Sequence, residues 1–238
     1  MAAKVEQFTC QTCGAFQYSM LHHTKAEDRT GLDRVKMCNQ FKKGQILFFE
    51  GNYPLGLYCV SRGSFKVYKL SADGKEQIVR FGHAGDFVGY QSLITDEPYD
   101  VTAEAIEDAS ACFIPKAEFL SLLAQQPSLS KALMQSLVKE LGLAQERLQA
   151  MAHKSVRERL AETLLMLHES FQPRGMRPQD EALIHVKLPR EDIANVAGSS
   201  TETVIRLLSE FRDSGLIELQ GKYIRLVNPR ALKQLAQA

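Results

Sequence analysis

Arg190-Glu191-Asp192-Ile193-Ala194-Asn195-Val196-Ala197-Gly198-Ser199-Ser200-Thr201-Glu202-Thr203-Val204-Ile205-Arg206-Leu207-Leu208-Ser209-Glu210-Phe211-Arg212 is the stretch that decides how the end of this chain folds. Pro189 stands before a short amphipathic helix over 190–197. Gly198 supplies the positive φ that a sharp turn demands. The serine hydroxyls at 199 and 200 are suited to accept from the free N–H groups that open a second helix. In that helix Val204, Leu207, Leu208 and Phe211 share one apolar stripe. Glu202 and Arg206 lie four apart on the other side, where a recognition helix presents side chains to the major groove. The pattern predicts an element that reads duplex DNA.

Downstream, Leu216-Ile217-Glu218-Leu219, then Gln220-Gly221, then Tyr223-Ile224-Arg225-Leu226 read as a two-stranded wing, which makes the unit a winged helix-turn-helix. Upstream, Leu183 to Leu188 alternates like a strand, and Val156 to Phe171 is an amphipathic helix broken by Pro173, Gly175 and Pro178. Before it, Met134, Leu137, Leu141, Ala144, Leu148, Met151 and Ser155 recur at alternating spacings of three and four. That is the seam of a two-stranded coiled coil and predicts a homodimer. Gly142 interrupts it, at a cost of roughly 1 kcal/mol relative to alanine.

From Lys43 to Phe119 short apolar runs alternate with glycines: Ile46–Phe49, Leu57–Val60, Phe65–Tyr68, Ile78–Phe81, Phe87-Val88 and Ala111–Ile114. Asp73-Gly74 between two of them is a hairpin signal. Many short strands at this spacing predict a small antiparallel roll, followed by a helix from Lys116 to about Gln126. The expected fold is therefore α+β: a cysteine-containing segment over 1–36, a β-roll sensor over 37–126, a dimerisation helix over 127–155 and a winged helix-turn-helix over 156–238.

With 238 residues, 45% apolar and 24% charged, the chain reads as an ordinary globular protein with room for two cores. No apolar run reaches the ~18 residues that would cross a bilayer. The first residues lack the layout of a secretion signal, so the expected compartment is the cytoplasm, where thiols stay mostly reduced. Net charge is +1, and from Val156 onward 12 Lys and Arg stand against 11 Asp and Glu. A basic footprint must then come from placement rather than excess. No nucleophile–base pairing, phosphate loop or carboxylate dyad stands out, which argues against an enzyme.

In this order, Lys43-Gly44-Gln45, Leu57 to Tyr68, Gly85-Asp86-Phe87-Val88-Gly89, Cys112-Phe113-Ile114-Pro115, Thr201 to Arg206, Gly215-Leu216-Ile217 and Gly221-Lys222-Tyr223-Ile224 resemble the CRP/FNR transcription regulators, close to their oxygen-sensing branch. The resemblance covers essentially the whole chain. It implies that Arg206 donates to guanine and Glu202 accepts from the cytosine amino group. It places Ile205 where the oxygen-sensing branch has serine, so a thymine methyl is its expected contact. Ser200, Thr201 and Lys222 are expected phosphate contacts. A palindromic duplex, a second copy of the chain and RNA polymerase are the implied partners.

The same resemblance speaks to the signal. Where the nucleotide-binding branch carries Gly-Glu and Arg-Ser pairs, this chain has Gly89-Tyr90 and Tyr99-Asp100. The phosphate-binding arginine is missing, which argues against cyclic AMP. Cys10-Gln11-Thr12-Cys13 and Cys112 resemble the ligands of a [4Fe-4S] cluster, but Ser19 stands where a further cysteine is expected. Ser19, His22, His23 or Cys38 are the fourth-ligand candidates. Three other readings stay open: a thiol–disulfide switch between Cys10 and Cys13 or from either to Cys112, a lost cluster whose cysteines are relics or merely fill space, and a regulator that senses an unidentified small molecule. Cys59 sits in an apolar run and reads as core, and Cys38 as structural. Ala144 replaces an acidic residue that in the oxygen-sensing branch keeps subunits apart, so the dimer is expected to persist without a cofactor.

Overall fold

Two four-stranded antiparallel sheets build the first part of the chain in the computed structural model, which describes residues 9–172, 183–184, 186–221 and 223–237. One sheet runs β1 (Met37–Phe41), β8 (Ala109–Pro115), β3 (Gly56–Arg62), β6 (Phe87–Val88). The other runs β2 (Ile46–Phe48), β7 (Thr102–Ala105), β4 (Ser64–Leu70), β5 (Glu76–His83). The hairpin between β4 and β5 turns at Gly74, whose φ of +78° is open to glycine at little cost. Residues Ser64 to Tyr68 of β4 are buried in succession, as a central strand covered on both faces requires.

The roll interior holds Val60, Phe65, Val67, Val88, Tyr99 and Ala103 among others. A second apolar cluster gathers on the outer face of the first sheet. There Leu57 and Ile114 meet Phe119 of α3 (Lys116–Gln125) and Leu129 and Leu133 of α4 (Pro127–His153). Cys10, Leu21 and Leu32 close it from the N-terminal side. That segment, polar and turn-rich in sequence, folds into two 3₁₀ turns, Phe16–Tyr18 and Met20–His23, and a helix α1 (Ala26–Val35). A short helix α2 (Tyr90–Thr95) follows β6.

Contacts divide the chain into two units, Met1–Leu141 and Gly142–Ala238. In the second, α5 (Val156–Ser170) packs with α6 (Arg190–Ala197), α7 (Thr201–Asp213) and α8 (Pro229–Ala236), beside the hairpin β9 (Ile217–Gln220) and β10 (Tyr223–Leu226). The alternating stretch Leu183 to Leu188 forms no strand among its described residues. Leu183 makes a single bridge to Arg225, and Ile184 N–H donates to Ile224. Pro173, Gly175, Pro178 and His185 lie outside the described residues. The seam helix ends at His153, two residues short of the expected limit, because Ser155 takes another part. Its hydroxyl accepts from the Glu158 N–H and Glu158 returns the bond, a reciprocal cap that opens α5.

Candidate nucleic-acid interface and cysteine pocket

The turn between α6 and α7 is made by Gly198 at φ +63°, and a Cβ there would come within 2.8 Å of Met151 Cε. Arg159 of α5 braces this turn from beneath. Its guanidinium donates to the carbonyls of Ala197 (2.9 Å), Gly198 (3.0 Å) and Lys154 (2.8 Å). Ser200 caps α7, its hydroxyl accepting from the Thr203 N–H at 3.2 Å. Val204, Leu207, Leu208 and Phe211 are buried, the last with no exposed surface. The opposite face exposes Glu202, Ile205 and Arg206, with Thr201 half-buried at its start. The five described residues that were expected to contact DNA thus fall on the first turns of α7 or at its cap. Lys222, expected on phosphate, lies outside the described residues.

Glu202 and Arg206 do not pair with each other. Arg206 reaches forward, its Nη1 meeting Glu210 Oε1 at 2.7 Å. The Glu202 carboxylate is held below its usual range by its own backbone N–H and by the Ser200 hydroxyl. An anion is favoured at this end of a helix. Sequence reading missed Glu210 and Arg159. Glu210 lies four residues after Arg206 on the same helix, a spacing the sequence did offer, whereas its pairing with Arg157 and that of Arg159 with Ala197 and Gly198 are fixed by tertiary packing.

The seam residues of α4 divide in their surroundings. Met134, Leu141, Leu148 and Met151 are 59%, 60%, 77% and 48% exposed. Ala144 is exposed as well. Leu137 is half-buried and packs on the cluster outside the first sheet, whereas Val138 is 69% exposed in its place. Leu137 stands four residues after Leu133 and eight after Leu129, on the face of α4 that packs on that cluster.

The first unit has its own chemistry. β1, β8 and β3 place Cys38, Cys112 and Cys59 opposite one another in register, so that the three form a row across the sheet. Cys38 and Cys112 are joined by a disulfide. Cys10, Cys13, Cys59 and Cys112 line one pocket with Ser19, Lys36 and Ile114. Cys10 and Cys112 are buried, Cys59 and Cys13 half-buried. The Lys36 ammonium lies 3.1 Å from Cys10 Sγ and 2.6 Å from Asp33 Oδ1. Burial raises the Cys10 thiol against the pull of Lys36. Burial likewise pushes Cys59 up to about 12, although Ser19, 3.6 Å from its sulfur, works the other way.

These placements correct the expected [4Fe-4S] cluster. Among the described residues, no group of three or more Cys, His, Asp and Glu side chains is arranged to hold a metal ion. Cys112 has committed its sulfur to Cys38, which removes one ligand and one fourth-ligand candidate together. Cys10 faces an ammonium, which competes with any cation for its sulfur. Of the other candidates, Ser19 is buried against Cys59, and His22 and His23 are exposed on a 3₁₀ turn. Cys59 packs against the apolar cluster outside the first sheet, in keeping with its apolar run, and lines the pocket as well. Only the strand register reveals that, because Cys59 and Cys112 are far apart in sequence.

Inside the roll, Tyr99 stacks on Phe48 with ring centres 3.9 Å apart, and Phe48 on Tyr58 at 6.1 Å. The Tyr99 hydroxyl donates to the Gly56 carbonyl at 3.0 Å. Asp100 pairs with Lys69 at 2.8 Å, and the Tyr90 hydroxyl donates to Glu140 of α4 at 2.7 Å. Tyr90 and Tyr99 are thus engaged in internal contacts, while Asp100 pairs with Lys69 at the surface.

Comparison with known proteins agrees with both units. Residues 38–126 match the cyclic nucleotide-binding domain and residues 158–235 the Crp-like helix-turn-helix domain. The chain is 32% identical over 228 residues to the fumarate and nitrate reduction regulatory protein of Vibrio cholerae serotype O1, covering 95% of this chain and 90% of that protein. The regulator of the same name from Escherichia coli K12 gives the same identity and coverage. Among solved structures, FixK2 from Bradyrhizobium japonicum superposes with a TM-score of 0.74 at 26% identity, over 86% of this chain and 98% of that one. A CRP/FNR-family transcriptional regulator from Thermus thermophilus gives 0.67 at 25%, over 85% and 99%. Its two matched domains in their order, and its kinship over nearly the whole length, make this chain a member of the CRP/FNR family of DNA-binding transcription regulators.

Proposed function

We propose that the chain is a homodimeric, sequence-specific regulator of this type that works without an iron–sulfur cluster. Its partners are then a palindromic duplex, a second copy of itself and RNA polymerase. The exposed face of α7 carries the DNA-reading part: Glu202, Ile205 and Arg206 lie opposite the buried stripe, at the helix end that an anionic backbone approaches. Arg206 takes guanine, Glu202 the cytosine amino group and Ile205 a thymine methyl, while Ser200, Thr201 and Lys222 take phosphates. The exposed apolar residues of α4 support the dimer. Two-fold symmetry sets half-sites about one helical turn apart.

The test is a binding titration on a palindrome selected from random duplex. Arg206→Ala is expected to lose about 1–3 kcal/mol and to relax preference at one base pair per half-site. An equal loss on selected and scrambled duplex would remove Arg206 from the base readers.

The sensor signal that fits the cysteine pocket is thiol oxidation. An oxidant such as a peroxide or a small disulfide takes two electrons and two protons from Cys38 and Cys112 and leaves the bond that ties β1 to β8. Reduced and oxidised preparations are then expected to differ in affinity for the selected palindrome, and Cys112→Ser to lose that difference. Equal affinity in both preparations of the unaltered protein would refute this signal.

A further inference from the structure

Arg206 is not free to wander over the surface. Its Nη1 is held at 2.7 Å by Oε1 of Glu210, one turn further along α7. The second oxygen of Glu210 is itself held, at 2.7 Å, by Nη1 of Arg157 in the first turn of α5. Arg157 lies 5.0 Å from the centre of the fully buried Phe211 ring. A chain of support thus runs from the core through Phe211, Arg157 and Glu210 to the most exposed of these groups.

We propose that Glu210 is a positioning residue for base recognition, holding Arg206 by one corner while its bidentate edge stays available to a guanine. This rests on Arg206 being a base reader. The geometry of guanidinium supplies the reason. Its five N–H groups lie in one plane, and Nη1 sits on the Cδ side, away from the Nε–H. A carboxylate on Nη1 therefore leaves Nε and Nη2 side by side as two parallel donors. That edge matches the O6 and N7 acceptors of guanine. Among the described residues no acceptor is bound to it.

Charge accounts for Arg157. A lone Glu210–Arg206 pair would be neutral and would put a carboxylate near DNA phosphates. Arg157 restores a net positive charge to the trio and takes up the oxygen that would otherwise face outward. Ordering a long side chain on binding costs conformational entropy, and here part of that ordering precedes the encounter. Glu202 does not compete for Arg206, because its carboxylate is engaged at the helix N-terminus.

The experiment uses the whole chain. A site is selected from random duplex with the unaltered protein, and every symmetric single-base-pair change in it is titrated by competition. Arg206→Ala identifies the base pair that Arg206 reads. Glu210→Ala is expected to lose roughly tenfold discrimination at that same base pair, within the range a good bidentate contact supplies, and to stay within about twofold elsewhere. Glu210→Gln keeps one acceptor oxygen for Nη1 and is expected to recover most of the lost discrimination. Arg157→Gln is expected to show a smaller loss at the same position.

A uniform fall at all base pairs, with a lowered melting temperature, would make Glu210 a structural brace and overturn the inference. An unchanged profile would overturn it equally. Should Arg206→Ala show no position-specific loss, the base-reader assignment itself falls and takes the inference with it.

Discussion

Tyr99 places its hydroxyl 3.0 Å from the carbonyl of Gly56 while its ring lies on Phe48 at 3.9 Å, so one side chain both fills the roll and fastens it. Tyr99→Phe keeps the stack and leaves a buried carbonyl without its donor. The expected loss is about 1–2 kcal/mol in urea unfolding of the sensor unit. Tyr99→Ala removes the ring as well and is expected to cost about 3–5 kcal/mol. Losses of equal size in the two variants would show that the ring contributes nothing beyond its hydroxyl.

Arg159 satisfies two carbonyls of the turn that aims α7, those of Ala197 and Gly198, and the Lys154 carbonyl ahead of α5. Arg159→Ala strips all three and is expected to lower the stability of the DNA-binding unit by about 2–3 kcal/mol. Hydrogen exchange at the turn should rise in the same variant. If protection there is unchanged, the brace is not what holds the turn.

Leu148 is the most exposed of the large apolar seam residues of α4, at 77%. Leu148→Glu sets two carboxylates against each other across a two-fold seam. Sedimentation equilibrium is expected to show a monomer at concentrations where the unaltered chain is dimeric, with palindrome binding reduced at least tenfold. A dimer of undiminished stability would relocate the interface away from this face.

The Asp33–Lys36–Cys10 trio carries a pH dependence whose sign can be worked out. Burial disfavours the Asp33 carboxylate, yet the Lys36 ammonium and the Cys10 N–H hold its pKa below the usual range. A carboxylate depressed on folding stabilises above its unfolded pKa of about 4, and that contribution is lost as pH falls through the folded value. Asp33→Asn is therefore expected to be less stable than the unaltered chain by a constant amount from pH 7 to about pH 5, with the gap closing below about pH 4. Lys36 acts at the other end. Burial works against its charge, but Asp33 and Cys10 raise its pKa, so its share persists below its unfolded value and fades in strong alkali. A gap that widens in acid would contradict both directions.

How far sequence carried the structure depended on whether the deciding contacts were local. The helix-turn-helix was legible because Gly198, Ser200 and the Val204–Phe211 stripe act within a few residues of one another. The wing and the roll strands were legible for the same reason, through Gly221 and Asp73-Gly74. The helix α1 was missed because its apolar face is thin: only Leu32 among its residues is buried. The strands β1 and β7 were missed because Met37–Phe41 and Thr102–Ala105 carry little apolar alternation and are held by pairing with β8 and with β2 and β4. Cys38, Cys59 and Cys112 became neighbours through register alone, and register across distant strands leaves no mark on any one of them. The iron–sulfur expectation failed at that point, since counting cysteines could not show which two would join.

The uncovered apolar row on α4 reaches beyond geometry, to how such a regulator answers its own abundance. If the DNA-competent species needs two chains, its amount at low expression rises with the square of the quantity synthesised. A modest change in translation or proteolysis would then become a steep change in promoter occupancy before any signal reached the roll.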